Sequence, residues 1–146
     1  MPGGTERLRV LGIDPGLAAV GWGVVDLDGA RVVYRGHGCF VTKPGVGMAE
    51  RLALIRDALK DVIAEYGPSE AAMEALYFSR NVTSALAVAE ARGVIRLACR
   101  GAGLSMSEYG PMDVKKAATG SGRSGKDDVQ SFVRLVLGLS AIPKPD

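Results

Sequence analysis

Residues Leu8-Arg9-Val10-Leu11-Gly12-Ile13 form a short, mostly apolar run that ends on one carboxylate, Asp14, and turns at once through Pro15-Gly16. Such a run predicts a strand buried in the middle of a sheet. An ionised Asp there would cost several kcal/mol unless it is paired or bound to a cation. Two accounts fit: Asp14 opens an Asp-Pro-Gly turn, or it is a metal-binding carboxylate at the end of a central strand. Any fold for this chain has to place that carboxylate.

With 146 residues, 47% of them hydrophobic, the chain can bury a sizeable core, and its length favours one compact domain over residues 1–146. No stretch approaches the roughly 20 apolar residues of a membrane span, and the N-terminus lacks a signal-peptide pattern, so a cytoplasmic location is expected. Cys39 and Cys99 are too few for a metal knuckle and read as buried free thiols. The single histidine, His37, makes a histidine cluster or a histidine-based triad a poor expectation. Charge is uneven. Residues 1–90 hold nine Lys/Arg against eleven Asp/Glu, and residues 91–146 hold nine against five, so the second part suits a polyanion or is an ordinary solvated surface.

Beyond Gly16, Val20 to Val25 reads as a second strand, Asp26-Leu27-Asp28-Gly29 as a turn, and Arg31 to Tyr34, extended through Cys39 to Val41, as a third strand of an antiparallel meander. Leu52, Ile55, Leu59, Val62, Ile63 and Tyr66 recur at helical spacing, predicting an amphipathic helix from Met48 to Tyr66 that Gly67-Pro68 ends. Ala71 to Leu76 is another short apolar run holding one acid, Glu74. The next helix, capped by Asn81 or Thr83, extends to about Arg100 with small residues Ala85, Ala89 and Gly93 beside Leu86, Val94 and Leu97, a stripe that suits either core packing or a homodimer seam. Leu104 to Tyr109 reads as a strand, Pro111 to Ala118 as a short helix, and Lys126 to Gly138 as a last helix. A meander followed by alternating elements implies an α/β fold, a mixed sheet flanked by helices.

Three constellations carry chemistry. Asp14 and Glu74 lie on different predicted strands, and phosphodiester hydrolysis by two metal ions needs carboxylates that converge from separate elements. Magnesium suits such oxygen ligands. Tyr77-Phe78-Ser79-Arg80-Asn81 follows Glu74 and offers aromatics that can stack on an unpaired base or wedge into a strained duplex, beside a cation and an amide. Lys115, Lys116, Arg123 and Lys126 bracket the Gly120-Ser121-Gly122 loop, whose amides, hydroxyls and cations can meet phosphates. The loop lacks P-loop spacing, and Lys126 is followed by Asp127 in place of Ser or Thr.

In order along the chain, Gly12-Ile13-Asp14-Pro15-Gly16, Glu74 with Tyr77-Phe78 and Asn81, Ser84-Ala85-Leu86, Ala91-Arg92-Gly93, Glu108-Tyr109, Val114-Lys115 and Lys126 with Val129-Gln130 resemble the RuvC family of Holliday junction resolvases. The resemblance implies a ribonuclease H-like fold with a five-stranded mixed sheet, a homodimer, and nicking of two like strands of a four-way junction with magnesium, or manganese in its place. It implies that Asp14 and Glu74 are the first and second catalytic acids, that Tyr77 inserts near the junction point, and that Lys115 and Lys126 belong to the DNA-binding face. A short T-rich cleavage preference and work alongside the RuvA and RuvB branch-migration proteins are implied as well.

Ala75, Glu90 and Val20 replace residues common in the family, and none of these changes removes an acid. The family closes with an acidic or histidine residue and then Ala-Ala-Asp on a final helix, whereas this sequence stops at Pro143-Lys144-Pro145-Asp146. Asp146 is therefore expected to be the third catalytic and metal-binding acid or the residue just before it. A polypeptide of these 146 residues alone is expected to bind junctions and cleave them poorly. Two other readings stand beside this one: a module that binds branched DNA without cutting it, and a fragment of an actin-like ATPase or sugar kinase, which shares the Gly-Ile-Asp-x-Gly opening but needs more length and further phosphate loops.

Overall fold

The computed structural model describes residues 7–28, 31–76 and 82–109, of which Arg31 and Tyr109 are described by their backbone only. Within the described residues five strands and two helices follow in the expected order: β1 (Leu8–Asp14), β2 (Ala19–Asp28), β3 (Arg31–Val41), α1 (Met48–Tyr66), β4 (Glu70–Glu74), α2 (Val82–Gly101) and β5 (Ser105–Tyr109). They form one mixed sheet in the order β3-β2-β1-β4-β5, with β1 at its centre. β1, β2 and β3 pair antiparallel, and β4 and β5 join in parallel.

Leu11, Ile13, Val20, Val24, Ala71 and Met73 on one face of the sheet meet Ile55, Leu59 and Val62 of α1 and Ala91, Ile95 and Cys99 of α2. Those helix positions recur at spacings of three and four, so one stripe of each helix is buried. Gly67, left-handed at φ 58°, ends α1 with its N–H donating to the Ile63 carbonyl at 2.9 Å. Trp22, Phe40 and Tyr66 continue the core, and Gly36 and Gly38 of β3 leave room for two of these rings. A Cβ on Gly38 would stand 2.8 Å from the Trp22 indole.

The turn after Asp14 is tied down from two sides. A Cβ on Gly16 would collide with the Ala19 carbonyl oxygen, so the chain doubles back there without a side chain. Buried Thr42 donates its hydroxyl to the Leu17 carbonyl at 2.5 Å and accepts from Arg51 Nε at 2.9 Å, which links this turn to the first turn of α1. Thr42→Val would leave both partners unsatisfied and is expected to lower stability by about 1–3 kcal/mol. Urea denaturation measures this, and an unchanged midpoint would show that the hydroxyl anchors nothing.

Two expectations need correction. Asp26 to Asp28 do not form a turn: they extend β2, with Asp26 opposite Val33 and Asp28 opposite Arg31. Asp26 is fully buried, held by Arg9 Nε at 2.7 Å and Arg35 Nε at 2.6 Å, and Arg9 Nη1 also donates to the Tyr66 carbonyl at 2.6 Å. A bulge opposite Val24 and Val25 adds Arg35 to β3 as the extra residue. The second correction concerns the thiols: both are free, Cys99 is buried, but Cys39 is exposed, because it lies on the sheet face opposite the described helices. Burial pushes the Cys99 thiol up to about 11. Among the described residues, no helix is long and apolar enough to cross a membrane. The predicted helices at 111–118 and 126–138 lie outside the described residues.

Candidate functional site

Parallel pairing of β1 with β4 runs Val10 opposite Glu70 to Ile13 opposite Met73. One residue further, the same register sets Asp14 beside Glu74, both at the C-terminal ends of their strands. That is the edge at which open α/β sheets bind ligands. Ile13 and Met73 belong to the core, and Asp14 and Glu74, one residue further, stand outside it at the strand ends. Both acids are only partly buried, so neither carries the full cost of a carboxylate sealed in the core.

Asp14 and Glu74 line one small cavity of about 120 Å³ with Pro15, Val88 and Arg92. Arg92 of α2 is buried, donates Nη1 to the main-chain oxygen of Glu74, and sits with Nη2 3.1 Å from Glu108 Oε1 on β5. Glu108 also pairs with Arg96. The site is thus built from three adjacent parallel strands and the helix that connects two of them. Its donor set of carboxylate oxygens, without sulfur, fits a hard divalent cation. Among the described residues no group of three or more His, Cys, Asp or Glu gathers to complete a metal site. Tyr77, Phe78, Arg80, Asn81, Lys115, Lys116, Ser121, Arg123, Lys126 and Asp146 lie outside the described residues.

His37 is exposed at the far side of the sheet, its Nδ1 2.9 Å from the Tyr34 hydroxyl, and takes no part in the site. The small-residue stripe of α2 divides. Ala85 is buried, whereas Ala89 and Gly93 are exposed, with Leu86 and Leu97 exposed by 60% and 74% beside them.

Residues 10–146 match the family described as crossover junction endodeoxyribonuclease RuvC. The chain belongs to the RuvC family. The crossover junction endodeoxyribonuclease RuvC of Rubrobacter xylanophilus is 46% identical over 146 residues, all of this chain and 82% of that protein. The RuvC of Heliobacterium modesticaldum is 47% identical over 137 residues, 94% of this chain and 85% of that protein. Among solved structures, T. thermophilus RuvC in complex with Holliday junction substrate superposes with a TM-score of 0.89 at 34% identity, covering 95% of this chain and 85% of that one. The yeast mitochondrial Holliday junction resolvase Ydc2, at 12% identity and a TM-score of 0.66 over 86% of this chain and 60% of its own, shares the fold. A RuvC fold accounts for the sheet order and for the meeting of Asp14 with Glu74. Arg92 is the site residue that reading the sequence for function missed, although its helical phase with Ala85, Ile95 and Cys99 marks it as facing inward.

Proposed function

We propose that this protein is a metal-dependent endonuclease that resolves four-way DNA junctions by phosphodiester hydrolysis in recombination and repair. The observation that carries this reading is the meeting of Asp14 and Glu74 at the ends of adjacent parallel strands, in a chain that belongs to the RuvC family. The two carboxylates hold magnesium, or manganese in its place, and a bound divalent cation supplies an activated water and charge stabilisation at the leaving oxygen. Asp146 joins them as the third acid. Tyr77 with Phe78, Arg80 and Asn81 engages the junction point, and Lys115, Lys116, Ser121, Arg123 and Lys126 meet phosphates. Phosphate contacts make binding fall steeply with salt.

The chain works as a homodimer, one active site per copy, in the cytoplasm alongside RuvA and RuvB. Val82, Leu86, Ala89, Gly93 and Leu97 fall within about 80° of arc on α2 at 3.6 residues per turn. They stand well away from its buried stripe and beside an apolar groove of about 720 Å³ between α1 and α2. This surface suits a second copy of the chain. Leu97→Glu would bury a charge in that seam and is expected to give a folded monomer that still holds a single junction arm but no longer makes paired nicks. Sedimentation measures this, and a dimer of unchanged stability would remove α2 from the interface.

Incubating a synthetic four-way junction with magnesium and the complete natural polypeptide tests the whole reading. Nicks placed symmetrically on two like strands support it. Junction binding with no cutting under magnesium or manganese would leave only a binding module.

A further inference from the structure

We propose that Arg92 is a positioning residue for hydrolysis, fixing where the Glu74 carboxylate stands by gripping the main chain behind it. This rests on the nuclease reading of the Asp14 and Glu74 site. A guanidinium in the middle of a helix, 6% exposed and flanked by buried Ala91 and Ile95, costs several kcal/mol unless it is paired. Arg92 is paired twice, through the two arms of one planar fork. Nη1 donates to the Glu74 carbonyl, and Nη2 meets Glu108 Oε1 at 3.1 Å.

Both partners matter to the site. Glu74 is the last residue of β4, paired with Tyr109 of β5, after which the chain leaves the sheet. A strand end held only by its ladder is free to twist. The bond to Arg92 fixes the peptide plane that follows Glu74, and with it the direction in which the Glu74 side chain leaves the backbone. Glu108 ties the same guanidinium to β5 and is itself shared with Arg96, so α2, β4 and β5 lock around one group.

Arg92 could act by charge alone, because it lines the same cavity as the two acids. Lysine separates the two accounts: it keeps the charge but is a compact donor without the planar fork that spans both acceptors. Arg92→Lys and Glu108→Gln are to be compared with the parent in the complete natural polypeptide. Single-turnover junction nicking is followed across magnesium concentrations, and manganese is titrated calorimetrically against the protein without DNA. For Arg92→Lys the maximal nicking rate and the DNA-free manganese affinity are expected to fall about 10–100-fold, as for groups that orient metal ligands, with junction affinity within about twofold of the parent. Glu108→Gln, which leaves Arg92 on Glu74 but removes its charged anchor, is expected to move both in the same direction by less.

A folded Arg92→Lys that nicks and binds manganese like the parent overturns the proposal. Should that variant not fold, a Glu108→Gln protein with unchanged rate and manganese affinity overturns it equally. A parent that never nicks junctions defeats the nuclease reading, and the DNA-free titration still decides for or against Arg92.

Discussion

Asp14→Asn is expected to abolish junction nicking while leaving junction binding intact. Asparagine keeps the shape of the side chain and removes its charge, so the turn through Pro15 and Gly16 should survive. What is lost is one of the two carboxylates that the β1 and β4 register sets side by side. Cation-borne charge stabilisation is worth several kcal/mol. At 1.36 kcal/mol per factor of ten, that corresponds to a loss of roughly 10³-fold or more in rate. In the proposed reading binding rests on phosphate contacts made by other residues, and removing a negative charge near DNA does not weaken such contacts. Single-turnover nicking beside a mobility-shift measurement reads both quantities. An Asn variant that cuts at the parental rate would end the assignment of Asp14 to the site.

The second large effect concerns stability. Asp26→Asn takes the charge from a fully buried carboxylate and leaves Arg9 and Arg35 facing each other without it. Breaking a buried pair this way costs about 3–5 kcal/mol, and the partial exposure of both arginines places this case near the lower end. The Arg9 hydrogen bond, joined by that of Arg35 and opposed by burial, holds the Asp26 carboxyl at about 2, below its ordinary 3.8. A carboxylate whose folded value is depressed stabilises the protein above its unfolded value and loses that contribution as acid protonates it. The parent's advantage over Asp26→Asn should therefore be constant above about pH 4 and shrink as pH falls towards 2. Urea midpoints of both proteins across that range test it. An advantage that persists undiminished at pH 2 would assign the stabilisation to something other than the Asp26 charge.

These two acids show what a sequence discloses. The β1 strand, the α1 helix with its Gly67 stop, and the meander-then-alternation order were legible because short apolar runs, turn residues and the 3.6-residue period are local. Asp14 and Glu74 were legible too, the first an acid closing an apolar run and the second an acid held within one. They are less buried than such runs suggest, because both stand at strand ends, where the sheet edge opens. Asp26 was misread as the start of a turn, since Asp, Leu, Asp and Gly in succession fit one. Its partners Arg9 and Arg35 are 17 and 9 residues away, and only the sheet brings them to it. Arg92 was passed over for a similar reason. A lone cation in a helix reads as a solvated residue until a neighbouring strand end supplies a carbonyl and an acid to bury it against.

One strand, β1, carries a charge centre at each end: Arg9 opposite Asp26 at its start, Asp14 at its finish. Five residues of extended chain separate them by roughly 17 Å. That exceeds the roughly 8 Å over which physiological salt screens charge. Asp26 lies buried between two partly exposed guanidinium groups that offset its charge locally, so the two centres couple weakly although they share a backbone. Acid tolerance and metal occupancy become separate dials on one molecule: the first can be retuned at Arg9, Asp26 and Arg35 without altering how the other end of the strand meets a cation.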